Sequence, residues 1–333
     1  MHDSTRSRLS RRHFVGLAAA ASTAGLSGLL RAQPAPTIGK IIVGYPAGGT
    51  LDQTARRVSD AWREQGKTYL VDNRPGAAGR IANAQLKRER ADGSMLLCTH
   101  TSALTIYPHV YTKLAYDAAQ DFRPVSPVAS ATCAFAISSA APDSVKTLAD
   151  YVRWVKATPT AASFASPAAG SMAHFLGYRF DQAAGLKLAH VPYRGSAPAM
   201  QDLLGGQIPA YIGFVGDFLP YMASGKLRIL AVTSDKRSRF MREVPTFAEQ
   251  GFATVVGNDS YGLFLPPQTP ADTVAACAQA VQQASRNPAL IAGMEQLGMD
   301  AVATSPAEYA QAIQHEREVW KPIVLASGFR SDE

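Results

Sequence analysis

The chain has 333 residues, 47% of them hydrophobic and 18% charged, which is enough for two moderate domains with their own cores. Its formal net charge is +7, but residues 1–32 carry five arginines and one aspartate, and without them the charge falls to about +3. The other basic residues are scattered, apart from the cluster in residues 86–93. Nucleic-acid binding requires a concentrated basic face, so we expect no nucleic-acid partner.

The first 32 residues have the pattern of an export signal. Arg11 and Arg12 precede a run of 14 apolar residues, 17–30, and small residues follow near Ala32. This is the order of a basic region, an apolar region and a cleavage site in a twin-arginine signal peptide. A membrane anchor would need about 18 or more apolar residues. We therefore predict a twin-arginine signal peptide over residues 1–32 and a mature protein in the periplasm.

Strands and helices alternate along the mature chain. A β-branched run at 40–45 is followed by an amphipathic helix, and the segments "TYLVDNRPGAAG", "RIANAQLKRERADG" and "SMLLCTHTS" then predict a strand, a helix and a strand. This β-α-β-α-β order is typical of a parallel sheet covered by helices. The same alternation recurs between about residues 148 and 234, and two helices, from about Ala271 and Ser305, end the chain.

One α/β unit before Pro124, a second one after it and a return at the end predict two lobes. We assign residues 37–130 and 256–333 to lobe 1 and residues 131–255 to lobe 2. The chain is expected to cross between the lobes within 125–138 and again within 255–263.

Three of the predicted strand-to-helix turns are rich in Gly, Ala and Ser. They lie in "YPAGGTLDQ", "ASPAAGSMAH" and "VPYRGSAPAM". The first is neither a Walker loop, which needs a Lys, nor a Rossmann turn, which needs a third Gly. We expect Thr50 and Gln53 to form a capping box and Ser171 and Ser196 to be N-caps. Helix N-termini at the carboxyl ends of strands favour a small anion, most simply a carboxylate.

Catalytic and metal-binding patterns are weak in this sequence. No G-x-S-x-G motif is present, and His100, His109, His174, His190 and His315 have no zinc-site spacing. A lone histidine such as His174 is more often structural. Asp217 is placed either to receive a ligand amine or to cap the next helix, and Tyr45 and Tyr193 either wall a pocket or pack in a core. Any one pair among Cys98, Cys133 and Cys277 is open to a disulfide. We expect no cofactor and no metal.

The sequence resembles the extracytoplasmic solute receptors of tripartite tricarboxylate transporters, the Bug receptors. The matching stretches include "YPAGGTLDQTAR", "VDNRPGAAG", "HVPYRGSAPAMQDLLGGQ" and "EREVWKPIV", and the similarity runs from about residue 38 to 328. The resemblance implies a type II periplasmic-binding-protein fold: two α/β lobes, a two-strand hinge and a ligand cleft between them. It also implies delivery of a small organic anion to membrane transporter subunits or to a sensor.

The family holds a ligand carboxylate through backbone groups, small side chains and water. Together with Asp217, the matching positions give the predicted ligand-binding residues: Tyr45, Gly49, Thr50, Asp52, Ser166, Gly170, Ser171, His174, Tyr193, Gly195, Ser196, Ala197 and Asp217. The sequence departs from the family at Arg80, where a small or amide residue is usual. Arg80 either reaches a distal carboxylate of the ligand or pairs with a surface acid.

We expect a monomer. The competing function is that of an exported α/β enzyme acting on a small carboxylate. The sequence leaves the ligand open among amino acids, dicarboxylates, aromatic acids and amides.

Overall fold

The computed structural model of this chain describes residues 38–331. The predicted signal peptide lies outside the described residues. Within them, no helix combines the length and the apolar character that crossing a membrane requires.

The described residues alternate between strands and helices as the sequence predicts. The strands are β1 (Gly39–Val43), β2 (Tyr69–Asn73), β3 (Met95–His100), β4 (Arg123–Ser138), β5 (Ser163–Ser166), β6 (Ala189–Pro192), β7 (Ala210–Phe214), β8 (Leu227–Val232), β9 (Asn258–Leu265) and β10 (Asp300–Ala301). The helices are α1 (Thr50–Glu64), α2 (Arg80–Gln85), α3 (Ser102–Thr105), α4 (Tyr107–Val110), α5 (Leu148–Ala157), α6 (Met172–Ala184), α7 (Ser196–Leu204), α8 (Val215–Phe218), α9 (Ala271–Ala284), α10 (Pro288–Gln296) and α11 (Pro306–Ser327).

The strands form one curled sheet in the order β2-β1-β3-β9-β4-β7-β5-β6, and β8 and β10 also pair with β4. Strands β1, β2 and β3 are parallel to one another, as are β5, β6 and β7. The carboxyl ends of each parallel group therefore meet at one edge, where the three Gly- and Ser-rich turns begin.

Strand β4 belongs to both halves of this sheet. Its residues 123–132 pair with β9, whereas residues 133–138 pair with β7 and β8. Its side chains divide in the same way, since Val125 and Val128 enter one core and Phe135 and Ile137 enter another. Strand β9 returns the chain to the first half at Asn258, within the range expected for the second crossing. The division into two lobes that move against each other stays a prediction.

Aromatic side chains fill both cores. Trp62 of α1 is 1% exposed and packs edge-on against Tyr69, with ring centroids 4.9 Å apart. Phe135 of β4 contacts the rings of Tyr151 and Phe180 at 5.1 and 5.2 Å. Full burial of a side chain of this kind stabilises the fold by about 1.5–3 kcal/mol. Each half of the sheet thus has its own anchored core.

The three cysteines are free and buried, so they are small core residues in the described structure. Three helical regions differ from the sequence prediction. Helix α2 ends at Gln85 and continues only as a 3₁₀ turn, and the short helices α3 and α4 follow β3 where no helix was expected. Helix α10 was also not predicted.

Candidate functional site

The first elbow, residues 45–50, connects β1 to α1. The carboxylate of Asp52 holds it: Oδ2 accepts from the backbone N–H of Gly48 at 2.8 Å and from Arg56 Nε at 2.9 Å. The other oxygen, Oδ1, accepts from Asn73 at 2.9 Å. Asp52 is only 1% exposed. Burial opposes ionisation, but these hydrogen bonds and Arg56 together lower the pKa of Asp52. Asp52 therefore positions the elbow, with both oxygens already bound to protein donors.

The predicted capping role of Thr50 is wrong. Gly49 is the N-cap of α1, and no side chain caps this helix end. Thr50 is the first helical residue, and its exposed side chain lies at the surface of the elbow. Gln53 does reach back, but it donates to the carbonyl of Gly48 at 2.9 Å. The cap is absent because the cap position is Gly49, which has no side chain, and Thr50 is already part of the helix.

The second elbow, residues 166–171, connects β5 to α6. Ser171 is the N-cap of α6 as predicted, and its hydroxyl accepts from the N–H of His174 at 3.2 Å. His174 Nδ1 in turn accepts from the N–H of Gly170 at 3.1 Å. Ser166 is fully buried and lies 2.8 Å from Nε2 of His190. Serine and imidazole groups thus fix the backbone of this elbow.

His174 and His190 stack with ring centroids 3.7 Å apart and an interplanar angle of 10°. Burial lowers the pKa of His174 to about 3, with a further contribution from His190, and burial lowers the pKa of His190 to about 4. Both rings are therefore neutral at pH 7. The second elbow contains no charged side chain of its own.

The third elbow, residues 193–197, connects β6 to α7. Its N-cap is Gly195, with φ of 107°, so the prediction of Ser196 as N-cap is wrong and Ser196 is the first helical residue. Ala197 is exposed, and Tyr193 is half-buried with its hydroxyl 2.5 Å from Asp202. The N–H of Gly195 donates to the carbonyl of Pro167 at 2.8 Å, which ties the third elbow to the second.

Asp217 follows β7 and lies next to the third elbow. It accepts from the N–H of Phe214 at 3.0 Å and from the hydroxyl of Tyr211 at 3.2 Å. Burial raises the pKa of Asp217 to about 6, although hydrogen bonding by Ser196, Phe214 and Tyr211 works against this. The capping reading of Asp217 fits this geometry.

The structure connects the elbows through aromatic residues that sequence reasoning did not select. The ring of Tyr45 lies 5.1 Å from that of His100, and His100 lies 4.6 Å from Tyr261 of β9. Burial raises the pKa of Tyr261 well above its usual value, with smaller contributions from Asp259 and Asp217. His100 could have been selected from the sequence by its position at the end of β3, which lies next to β1 in the sheet.

The second elbow also touches the first half of the sheet. A Cβ atom added to Gly170, whose φ is 73°, would lie 3.1 Å from Val110 of α4 and 3.5 Å from Phe329. Together with the hydrogen bond from Gly195 to Pro167, this contact links the second elbow to α4 and to the third elbow. We expect the first elbow to face the same region. Whether the predicted residues hold a ligand there stays a prediction.

A strained loop, residues 76–79, borders this region. All four residues have positive φ, including Ala77 at 48° and Ala78 at 53°. Each such alanine costs about 1–2 kcal/mol relative to an ordinary conformation. The carbonyl of Ala78 accepts from the hydroxyls of Tyr45 at 3.0 Å and Tyr107 at 3.4 Å, and these contacts hold the loop in its strained form.

The first and second elbows offer backbone donors rather than cations, whereas the third also carries the exposed side chain of Arg194. The N–H groups of the first turn of a helix have no intrahelical acceptor. Those of Thr50 and Leu51 in α1, and of Ser196 and Ala197 in α7, donate to no other backbone carbonyl in residues 38–331. Such groups stabilise an anion through short hydrogen bonds and the helix dipole. Among residues 38–331 no group of His, Cys, Asp and Glu is arranged to hold a metal ion.

A surface depression of about 660 Å³ lies elsewhere, beside Lys87, Tyr116 and Asp121. Lys87 and Asp121 form an ion pair at 2.8 Å within it. Tyr111 also lines this depression, but none of the predicted ligand-binding residues does, so we assign it no part in the predicted site.

The curled α/β sheet, with Gly- and Ser-rich elbows at the carboxyl ends of its parallel strands, defines a periplasmic-type solute-binding protein. Among solved structures, periplasmic binding protein BugD superposes with a TM-score of 0.76 at 26% identity, covering 88% of this chain and 98% of that one. The protein described as "R. palustris Rpa4515 with adipate" superposes with a TM-score of 0.80 at 26% identity, covering 89% of this chain and 99% of that one. The fold expected from the sequence is confirmed.

Residues 54–329 match the tripartite tricarboxylate transporter family receptor, TctC. BugT of Bordetella pertussis is 30% identical over 312 residues, which cover 92% of this chain and 94% of that protein. The chain therefore belongs to the TctC family and is a solute-binding receptor rather than an enzyme. The resemblance to Bug receptors is confirmed, and the alternative of an exported enzyme is not supported.

Proposed function

We propose that this receptor captures a small carboxylate in the periplasm and delivers it to the membrane subunits of a tripartite transporter or to a sensor. The observation that carries the proposal is the set of unpaired N–H donors at the helix N-termini of the first and third elbows, while the described first and second elbows hold no cation free to act as a clamp. A carboxylate accepts several such hydrogen bonds at once. Adipate, bound by a structural neighbour, is an anion of this kind.

Specific residues have distinct parts in this proposal. The backbone N–H groups of Thr50, Ser196 and Ala197 contact the anion, and Tyr45 forms an aromatic wall. Gly49 shapes the turn, since its own N–H donates to the carbonyl of Pro46 at 3.4 Å. A second set positions these groups: Asp52 in the first elbow, Ser166, Gly170, Ser171 and His174 in the second, and Tyr193, Gly195 and Asp217 at the third.

Closure of two lobes around the ligand follows from this arrangement. Lobe 1, residues 37–130 and 256–333, carries the first elbow, and lobe 2, residues 131–255, carries the other two. A ligand that contacts both lobes favours the closed form by the difference in its contacts with the two states. The link between the lobes is β4, which continues from one half of the sheet into the other, together with the chain that enters β9 at Asn258. A monomer suffices for this mechanism.

The test is a thermal-shift screen of the mature protein against mono-, di- and tricarboxylates, each paired with its amide. A ligand of the native state at about 100 times its Kd adds about 2.7 kcal/mol, so we expect a Tm increase of about 5 °C. The matching amide should give a smaller shift, because it lacks the charge that the helix ends favour. If amides shift Tm and carboxylates do not, the proposed ligand class is wrong.

Export and delivery need separate measurements. Replacing Arg11 and Arg12 with lysine should abolish export by a twin-arginine route and leave the cytoplasmic precursor intact. If export continued after this change, the twin-arginine prediction would be wrong, and the proposal of a carboxylate ligand would be unaffected.

A further inference from the structure

Two contacts hold the guanidinium of Arg80 in one orientation. Its guanidinium carbon lies 3.9 Å from the centroid of the Tyr111 ring, and Nε donates to the carbonyl of Ala77 at 3.0 Å. These two contacts fix the plane of the guanidinium, because one sets its distance from the ring and the other its rotation. The two terminal NH₂ groups form no hydrogen bond and no ion pair with residues 38–331.

Neighbouring arginines are used differently. Arg56 pairs with Asp52 at 2.9 Å, and Arg74 pairs with both Asp72 and Glu89 at 2.9 and 2.6 Å. The surface-pairing alternative for Arg80 therefore has no partner in the described structure. An oriented guanidinium with two free donor groups has the geometry that binds a carboxylate in a bidentate manner.

The position of Arg80 relates it to two elbows. Its Nε and the hydroxyl of Tyr45 donate to the adjacent carbonyls of Ala77 and Ala78, so Arg80 and the first elbow meet at the strained loop. On the other side, Tyr111 directly follows Val110, which lies against Gly170 of the second elbow. Arg80 thus lies between the strained loop, which contacts the first elbow, and the Val110–Tyr111 segment, which contacts the second.

We propose that Arg80 is a specificity-determining residue that binds the distal carboxylate of a dicarboxylate whose first carboxylate is held at the elbows. This inference rests on the proposed function and goes further by naming the ligand class. Tyr111 acts as the platform for the guanidinium. The strained loop orients the guanidinium, because the carbonyl of Ala77 accepts a hydrogen bond from Nε of Arg80.

Isothermal titration calorimetry with matched acids tests the proposal. The ligands are succinate, glutarate and adipate, each paired with butyrate, pentanoate or hexanoate, which lack the second carboxylate. The proteins are the mature wild type, Arg80→Gln, Arg80→Lys and, as a control of equal charge change, Arg63→Gln. Arg63 is exposed on α1 and pairs only with Asp60. Melting without ligand checks that each variant is folded.

A charge-assisted contact is worth about 10- to 100-fold in affinity, so Arg80→Gln should weaken the best dicarboxylate by that factor. Its matched monocarboxylate should change less than about twofold, and Arg63→Gln should change neither. Arg80→Lys should recover part of the dicarboxylate affinity, since it keeps the charge and loses the fork. Replacing Tyr111 with leucine should weaken the dicarboxylate while the monocarboxylate is unaffected.

Two results would overturn the proposal. One is an equal loss for both members of a pair, which would make Arg80 a structural residue. The other is unchanged dicarboxylate affinity in Arg80→Gln, which would leave the guanidinium as a surface group on Tyr111. Both leave the proposed function standing, because the wild type would still bind carboxylates. If the wild type bound neither dicarboxylates nor monocarboxylates, the proposed function itself would be wrong.

Discussion

The first and second elbows share a plan, a parallel strand, a Gly-rich turn and a helix N-terminus, but different chemistry holds them. In the first, one buried carboxylate accepts from a loop N–H, an arginine and an asparagine. In the second, a serine caps the helix and neutral histidines bind the loop. The carboxylate is compensated by Arg56, whereas the histidines are neutral because they are buried.

The two elbows show that the same strand, turn and helix N-terminus can be stabilised by two different sets of side chains. Both devices leave the turn free of an uncompensated charge, which would otherwise compete with an anionic ligand or attract a counter-ion. The first elbow depends on the ionised carboxylate of Asp52, whereas the second depends on histidines that stay neutral.

The largest effect is expected from Asp52→Ala. The change leaves the N–H of Gly48 and the amide of Asn73 without their acceptor and should lower the free energy of unfolding by about 2–4 kcal/mol. Urea denaturation measures this. Asp60→Ala is the control, because Asp60 forms an exposed pair with Arg63 and should lose less than about 1 kcal/mol. Similar losses of unfolding free energy in the two variants would show that the Asp52 carboxylate does not hold the first elbow.

The N-cap glycines should respond unequally. Gly195→Ala should cost about 1–3 kcal/mol, because φ of 107° is disfavoured for a residue with a Cβ even though the space around it is open. Gly49 has φ of −69°, and a Cβ there would lie 3.4 Å from the carbonyl of Pro46, so Gly49→Ala should cost less than about 1 kcal/mol. Thermal unfolding of the two variants decides whether backbone conformation distinguishes the third elbow from the first.

Acid should weaken the second elbow selectively. The pKa of His174 is about 3 in the folded protein, below the usual 6.5, so the unfolded chain binds its proton first and stability falls as pH drops from about 6.5 towards 3. His174→Gln removes this term. The stability advantage of wild type over the variant should therefore shrink by up to about 1.4 kcal/mol per pH unit below pH 6.5. Parallel pH curves for the two proteins would contradict the buried neutral imidazole.

The smallest expected effects concern the caps. Ser171→Ala removes the acceptor of the His174 N–H and should cost about 1 kcal/mol. Thr50→Ala should cost less than about 0.5 kcal/mol, because Thr50 is not a cap and its side chain is exposed. Chemical denaturation of both variants compares the caps directly, and a larger loss for Thr50→Ala would reverse our assignment.

The alternation of strands and helices was predictable because hydrophobic periodicity is local, and so was the N-cap at Ser171. The caps at Gly49 and Gly195 were not, since Thr50 and Ser196 have better capping side chains than the glycines beside them. At both ends the glycine has the non-helical cap conformation and the following Thr or Ser is already helical. At the third elbow the hydrogen bond from Gly195 to Pro167 depends on a turn 28 residues earlier in the chain, which local sequence does not show. His100 and Tyr261 were missed for the same reason, because they meet Tyr45 only through the pairing of β3 with β9.

That pairing also governs when the protein can fold during synthesis. Leu97 of β3 pairs with Phe264 of β9, so the first half of the sheet lacks its neighbour until almost all of the chain has left the ribosome. Helix α11, which places Tyr309 and Ile313 in one core and Trp320 and Val324 in another, emerges later still. Contacts this far apart in sequence form slowly. A nascent chain of this protein therefore stays open to chaperones and proteases for most of its translation, and its half-made first lobe exposes a sheet edge throughout that interval.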